Sequence, residues 1–194
     1  MKQTIDFLNT QIARLEKKGY EIADKQAYID NILDYMEVVR EIESSNDNTQ
    51  VNTNSGAAGL YQFLENTVPT AKNRAKRMHT AEDFVANISD NPLEWEDDEA
   101  GLMFLAHAFG APVHEERTSI GSDELFHRIG TDFDPQAQQD LYMHYHYRAV
   151  PDDATYDRAT RLIADFYTEN YPETAKNSGG PVTNPLYSDK RYLI

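Results

Sequence analysis

The sequence predicts an all-α fold. Apolar residues recur every three or four positions over most of the chain before residue 171, which is the spacing of amphipathic helices. Typical helix-starting residues, namely Asp24 and the pairs Asn91-Pro92 and Asp134-Pro135, precede several of these segments. Segments of alternating polarity, the usual signal of strands, are scarce. We therefore expect a protein built mainly of packed helices.

The first two predicted helices lead to Glu43. The first, within residues 1–19, has one apolar face and ends at Lys17-Lys18-Gly19, a cationic last turn followed by a helix stop. The second begins after Asp24 and ends near Glu43. Its apolar residues at helical spacing are Ala27, Ile29, Ile32, Leu33, Met36, Val39 and Ile42. Glu43 is therefore expected at the end of a buried helix.

Six further helices are predicted after residue 65. They cover residues 66–78, 80–88, 91–109, 122–129, 134–147 and 151–167. The segment 99–109 is the most apolar of them, so we expect it to be the central helix. Residues 110–121 contain Pro112 and several charges, and we expect a loop there.

The last segment, 171–194, is expected to be an extended attachment tail. Three prolines and Gly179-Gly180 interrupt every helical pattern in it. Its end, Tyr192-Leu193-Ile194, is too apolar for a tail that only stays solvated, so we expect it to dock on a larger assembly or to fold back on its own domain. The predicted organisation is thus an N-terminal helix (1–19), a helical domain (20–170) and this tail.

Composition excludes several functions. The net charge of -15 argues against nucleic acid and anionic membranes as partners. There is no cysteine, no HExxH motif occurs, and His144 and His146 point about 200° apart on an α-helix, so no metal or cofactor is expected. The first twenty residues carry charges and amides throughout, so we expect neither a signal peptide nor a membrane span, and synthesis as a soluble cytoplasmic chain.

One stretch, residues 38–62, combines a carboxylate with a polar loop and a run of small residues. An apolar helical pattern ends at Glu43, and the polar loop leads into Ser55-Gly56-Ala57-Ala58-Gly59-Leu60-Tyr61-Gln62. A carboxylate in the last turn of a helix is disfavoured by ~0.3–1 kcal/mol, because the helix dipole is negative there. A functional reason for Glu43 is therefore worth seeking.

These residues resemble the motif of the lytic transglycosylases, lysozyme-like enzymes that cleave peptidoglycan. The usual form is Glu-Ser, a loop, and Gly-Ala-x-Gly-Leu-Met-Gln, and Glu43-Ser44 and 56–62 follow it. Tyr61-Gln62-Phe63 is similar to the form found in phage-encoded relatives. The loop is one residue longer than usual, and polar Asn46 stands where an apolar residue is customary.

The resemblance implies a lysozyme-like domain over residues 20–170 in which Glu43 is the catalytic residue. In that family one glutamate protonates the glycosidic oxygen between N-acetylmuramic acid and N-acetylglucosamine. It then acts as a base toward the sugar's own 6-hydroxyl, which closes a 1,6-anhydro ring. This double role requires that Glu43 be buried beside apolar groups such as Leu60 or Phe63, since burial disfavours the charged form of a carboxyl group.

The resemblance also implies a set of substrate-binding residues. They are Ser44, Gly56, Ala57, Tyr61, Gln62 and His107. Each has a structural alternative. Ser44 could simply end the helix, and the glycines could form a plain turn. Gln62 could be a buried amide whose hydrogen bonds are satisfied within the protein. Relatives often carry Ala-Tyr-Asn-Ala-Gly where this chain has 105–110, so His107 either takes over the polar contact or is a core residue.

Three further features leave alternatives open. Asp47 could serve as a second carboxylate for hydrolysis by water, although Asn46-Asp47-Asn48 argues that it belongs to a loop. The helix 66–78 has a basic face that either binds the anionic glycan or is simply solvated; its cations are Lys72, Arg74, Lys76 and Arg77. Residues 142–148 are aromatic on every side of their helix, which favours packing or protein docking over sugar binding.

The function predicted from the sequence is therefore a lytic transglycosylase that acts on peptidoglycan glycan strands. The phage-like motif, the acidic charge and the apolar tail suggest that it is carried in a phage virion and held there by other virion or tail proteins. The alternative is a non-catalytic structural protein of a phage tail or connector that keeps the fold. A site plugged by the chain's own residues would favour this alternative.

Overall fold

The computed structural model describes residues 1–78, 82–112 and 120–147, together with the single positions 161 and 165. The α-helices of these ranges are α1 (Lys2–Lys17), α2 (Lys25–Ser44), α3 (Val68–Met78), α4 (Glu82–Asn87), α5 (Asp97–Phe109), α6 (Ser122–Asp132) and α7 (Pro135–Leu141). Short 3-10 turns cover Glu65–Thr67 and Pro92–Glu94, and a π-helical turn covers Tyr142–Tyr147. The only β-type pairings in these ranges are two isolated bridges that share Ala58. The predicted all-α class is confirmed.

Local capping residues determine where several helices begin, as predicted. The Asp24 side chain accepts from the backbone N–H groups of Gln26 and Ala27, both at 3.0 Å. Asp134 does the same for the first turn of α7, and Asn91 accepts from Leu93 N–H in the turn before α5. These bonds satisfy N–H groups that have no partner within the helix.

The central helix is α5, also as predicted. All of its residues from Ala100 to Phe109 are buried, and it packs against α1, α3 and α6. Gly101 allows the close approach of α1, because a Cβ at this position would lie 2.9 Å from the Thr4 hydroxyl oxygen. An α-helix this apolar has to be covered on every side.

The N-terminal helix shares this core with the helices that follow it. Phe7 is fully buried, and its ring meets that of Phe109 edge-on at a centroid distance of 5.9 Å. At the start of α1, the backbone N–H groups of Gln3 and Thr4 donate hydrogen bonds of 2.9 Å and 2.8 Å to the Asp98 carboxylate of α5. Residues 1–19 are thus packed into the same hydrophobic cluster as α2 and α5.

The helices after α5 pack against α2 or against each other. Helix α6 packs along α2, and α7 packs on α6. Helix α6 extends to Asp132, three residues beyond its predicted end. The predicted α-helix 134–147 is α-helical only to Leu141 and then widens into the π-turn, a change that the apolar pattern does not reveal. This turn carries the chain to the C-terminal end of α2.

Some predicted elements fall outside the described residues. They are the helix start at 80–81, most of the loop 110–121, the tail 171–194, and the helix 151–167 apart from two positions, Arg161 and Asp165, which are helical. In the described part of the chain, no helix combines the length and the apolar character that crossing a membrane requires.

Candidate active site

The carboxyl group of Glu43 lies at the end of α2 and is largely enclosed. Its side chain is 14% exposed. The Tyr142 hydroxyl donates a hydrogen bond of 2.8 Å to Oε1 of Glu43. Nε2 of His146 lies 3.3 Å from the same oxygen. Glu43 Oε2 makes no hydrogen bond or ion pair with any described residue. The two carboxyl oxygens therefore have different surroundings.

Tyr142 and His146 both come from the π-turn after α7. They are four positions apart, a spacing at which side chains of a helix lie side by side, and their ring centroids are 5.8 Å apart. Neither residue was predicted to lie near Glu43: His146 was weighed as a metal ligand with His144, and both residues were weighed only as part of the aromatic run 142–148. The signal that was available is the Tyr-x-x-x-His spacing within the aromatic run 142–148.

The aromatic run is packed from Tyr142 to Tyr145, which agrees with the packing that the sequence favoured. Tyr142, Met143, His144 and Tyr145 are all buried. The Tyr145 hydroxyl donates a hydrogen bond of 2.6 Å to the carbonyl oxygen of Ile120. The side chains of these four residues thus pack inside the protein.

Tyr61 belongs to the core, contrary to its predicted role in substrate binding. Its ring stacks on Phe104 with a centroid distance of 4.5 Å and an interplanar angle of 11°, and the residue is 3% exposed. Burial raises the pKa of its hydroxyl group. Phe104 also packs against His146, whose ring centroid is 5.3 Å away. Tyr61 therefore supports the ring that packs against His146 and is not presented to a ligand.

Ser44 joins the end of α2 to the loop that follows. Its hydroxyl oxygen lies 3.0 Å from the carbonyl oxygens of both Arg40 and Leu60, to one of which it can donate at a time. Ser44 is buried. Both acceptors are backbone groups of the protein. The contacts of Ser44 therefore agree with the structural role at the helix end that the sequence offered as the alternative.

Two glycines give the loop its shape. Gly56 and Gly59 both have a φ of 76°, a left-handed conformation that glycine adopts without strain. At Gly59 the fit is also tight, since a Cβ would lie 2.8 Å from the carbonyl oxygen of Pro92, whereas at Gly56 a Cβ would meet nothing within 4 Å. Ala57 is buried between them, and its carbonyl oxygen accepts a bond of 2.8 Å from Asn52 N–H.

The side chain of Gln62 is used to hold the same loop. Its Nε2 donates to the carbonyl oxygens of Gln50 (3.2 Å) and Gly59 (3.0 Å). Both amide protons therefore have acceptors within the protein. This is the satisfied amide that the sequence left as an alternative to sugar binding.

Asp47 occupies a turn, as Asn46-Asp47-Asn48 indicated. Helix α2 ends at Ser44, and the next two residues take left-handed conformations, with φ of 51° at Ser45 and 60° at Asn46. The Asp47 carboxylate accepts from the hydroxyl (2.7 Å) and the backbone N–H (2.8 Å) of Thr49. These two hydrogen bonds lower the pKa of Asp47. Asn46 suits its position, because asparagine tolerates the left-handed region better than an apolar residue.

His107 is a core residue of α5. It is 2% exposed, and its ring meets that of Phe63 edge-on at 5.5 Å. Its carbonyl oxygen accepts a hydrogen bond of 2.7 Å from Arg74. His107 therefore has the surroundings of a core residue, which is the alternative to the predicted contact with substrate, and the histidine that lies against Glu43 is His146.

Two of the four cations on the basic face of α3 make contacts within the protein. Lys72 donates to the Ile88 carbonyl oxygen and pairs with Asp90 at 2.7 Å, and Arg74 is buried under α5. Only Lys76 and Arg77 of the four predicted cations are exposed. Neither alternative, a glycan-binding surface or a solvated face, describes all four cations, because Lys72 and Arg74 bind other parts of the protein.

Models of known protein families, curated protein sequences and solved structures give no match to this chain. The described residues also contain no group of three or more His, Asp or Glu side chains arranged to hold a metal ion.

Proposed function

We propose that the protein is a peptidoglycan lytic transglycosylase with a lysozyme-like fold, in which Glu43 is the single catalytic residue. The observation that carries this proposal is the asymmetry of the Glu43 carboxyl group. Tyr142 and His146 both approach Oε1, while Oε2 has no partner among the described residues. A residue that gives up a proton and then takes one back has to be held in place and to keep one oxygen available.

One carboxyl group suffices for the proposed reaction. Glu43 protonates the glycosidic oxygen of the leaving sugar as positive charge develops on the ring. The Glu43 carboxylate then accepts the proton of the 6-hydroxyl, whose oxygen bonds to the anomeric carbon and closes the anhydro ring. Asp47, the other carboxylate considered, is exposed and is engaged with Thr49, which favours the one-carboxylate reaction over hydrolysis by two.

Substrate contacts are proposed for the exposed part of the loop between Glu43 and Gln62. Ser44, Ala57, Tyr61 and Gln62 are engaged with the protein itself, as described above. Residues 52–56 are exposed and polar, and they include Gly56, the one predicted substrate-binding residue with an open surface. Amide and hydroxyl groups of this kind hydrogen-bond sugar hydroxyl and acetamido groups.

We further propose that the enzyme is carried to the cell wall in a phage virion. The net charge of -15 gives no long-range attraction to an anionic wall, so transport by a larger particle is favoured over free diffusion. Other virion or tail proteins, bound through residues 171–194, are the proposed partners. The motif at Tyr61-Gln62-Phe63 is the sequence feature that supports a phage relative.

One observation favours a second candidate, a structural tail or connector protein without activity. Tyr142 and His146 lie against the carboxyl group of Glu43, whose side chain is only 14% exposed. These are the chain's own residues. A polysaccharide has to reach the same carboxyl group if the enzyme proposal is correct.

Digestion of purified peptidoglycan separates the two candidates. The protein and its Glu43→Gln variant are incubated with peptidoglycan, and the released fragments are weighed by mass spectrometry. We expect anhydro-muropeptides from the parent and none from the variant. Fragments heavier by one water would indicate hydrolysis, and no release by the parent would leave the structural candidate as the better one.

A further inference from the structure

The two ring nitrogens of His146 lie in different environments. Nε2 faces Glu43, at 3.3 Å from Oε1. Nδ1 is buried and has no hydrogen-bond partner among the residues that the structure describes. The side chain is 9% exposed. Its ring neighbours, at centroid distances of 5.3, 5.8 and 6.3 Å, are Phe104, Tyr142 and Phe63.

This environment distinguishes the forms that the imidazole can take. A neutral ring with its proton on Nε2 directs an N–H group at Glu43 and leaves only a lone pair at Nδ1. A neutral ring with its proton on Nδ1, or a charged ring, buries an N–H group at Nδ1 without an acceptor among the described residues. Burying an N–H donor without an acceptor costs free energy, so the surroundings of Nδ1 favour the form that has its proton on Nε2 alone.

We propose, on the basis of the function proposed above, that His146 is the positioning residue of Glu43. His146 is a neutral imidazole with its proton on Nε2, and this N–H group and the Tyr142 hydroxyl together fix Oε1. In this structure Nε2 lies 3.3 Å from Oε1 without the geometry of a hydrogen bond, and such contacts at catalytic groups often tighten only when substrate binds.

This arrangement assigns the two oxygens of Glu43 to different tasks. Oε1 stays bound to its donors throughout the reaction. Oε2 carries the proton, releases it to the glycosidic oxygen as the bond from that oxygen to the anomeric carbon breaks, and then takes the proton of the 6-hydroxyl as its oxygen bonds to the same carbon. The proton on Nε2 of His146 is not transferred, so the histidine acts only through Glu43.

Two substitutions of His146 test the positioning role. In His146→Gln the amide nitrogen can occupy the place of Nε2, whereas in His146→Asn it reaches only the place of Nδ1. With a soluble peptidoglycan fragment as substrate, we expect His146→Asn to lower kcat by about 10–100-fold with little change in KM, since a small misplacement of a catalytic group has effects of this size. The kcat of His146→Gln should be close to that of the parent.

The outcomes separate this inference from the proposed function. If Glu43→Gln is inactive while His146→Asn and His146→Gln are equally active, the positioning role is wrong and the enzyme proposal stands. If Glu43→Gln is as active as the parent, the enzyme proposal fails. Thermal unfolding of both His146 variants shows whether a loss of kcat reflects a loss of folded protein.

A spectroscopic measurement tests the tautomer without any substrate. Two-bond proton–nitrogen NMR spectra of the nitrogen-15-labelled parent distinguish ring nitrogens with and without a bound proton. His146→Gln identifies the His146 signals among those of the six histidines. We expect a protonated Nε2 and an unprotonated Nδ1 at neutral pH. A proton on Nδ1, alone or together with one on Nε2, would overturn the proposal.

Discussion

Replacing Tyr142 by phenylalanine tests the contact on which the site depends. The substitution removes one hydroxyl group and keeps the buried ring beside His146. Its hydrogen bond to Oε1 of Glu43 is 2.8 Å long, which is normal for O–H···O geometry. A hydrogen bond to a charged acceptor contributes ~1.5–3 kcal/mol, and one to a neutral acceptor ~0.5–1.5 kcal/mol. We expect Tyr142→Phe to lower the free energy of unfolding by about 1–3 kcal/mol.

A double-mutant cycle isolates the part of this effect that belongs to the pair. In a Glu43→Ala background the hydroxyl has lost its carboxyl acceptor, so Tyr142→Phe should cost less there than in the parent. We expect a coupling free energy of about 1–2 kcal/mol between the two positions, within the range of ~0.5–3 kcal/mol found for residues in contact. The cycle does not require that the protein be an enzyme.

Urea unfolding provides the measurement, and the chain offers a probe and a control. The single tryptophan, Trp95, is buried with its ring 5.2 Å from that of Phe63, so its fluorescence should report unfolding near the site. Tyr145→Phe is the matched control, because its hydroxyl donates to Ile120 and not to Glu43. Its effect and that of Glu43→Ala should add to within ~0.5 kcal/mol. If the Tyr142 cycle is as additive as the control cycle, Tyr142 and Glu43 are not coupled and the proposed contact does not stabilise the site.

Substitutions of Glu43, Gly59 and Asp140 provide three further tests. Glu43→Gln should reduce peptidoglycan cleavage by ~10²–10⁴-fold because an amide cannot donate the proton, while Asp47→Asn should have little effect; equal losses would point to hydrolysis by two carboxylates. Gly59→Ala should lower the free energy of unfolding more than Gly56→Ala, since both have a φ of 76° but only Gly59 has a backbone oxygen 2.8 Å from an added Cβ; equal effects in urea unfolding would contradict this. Burial raises the pKa of Asp140 to about 6, so the folded state binds this proton more tightly than the unfolded state, and stability falls as the pH rises from about 4 through 6. Asp140→Asn should therefore stabilise the fold at pH 8 by up to about 3 kcal/mol and have little effect below pH 4, and equal gains at both pH values would refute the assignment.

The parts of the structure that the sequence predicted are those determined by neighbours along the chain. Asp24 and Asp134 cap helices through N–H groups two or three residues away, and the apolar run in 99–109 identifies its own helix as central. Glu43 was placed correctly at the end of α2 for the same reason. Local patterns of this kind can be read from single segments.

The surroundings of Glu43 could not be predicted, because they come from distant parts of the chain. Tyr142 is 99 positions away from Glu43, and the Tyr-x-x-x-His spacing indicates that Tyr142 and His146 lie side by side but not that they face Glu43. The same holds for Tyr61, which was assigned to the substrate until its ring was found stacked on Phe104. A motif identifies which residues stand close to one another in the loop, but not which of them face the core.

The π-turn Tyr142–Tyr147 explains why its sequence is aromatic on every side. Met143 and Tyr145 are buried in the core, whereas Tyr142 and His146 are directed at the carboxyl group of Glu43. One turn therefore closes the hydrophobic core and holds the site, and both tasks require large side chains. Removing a buried side chain from the core side of this turn, for example Met143→Ala, should then also move Tyr142 and His146, whereas Tyr145→Phe keeps its buried ring and should leave them in place.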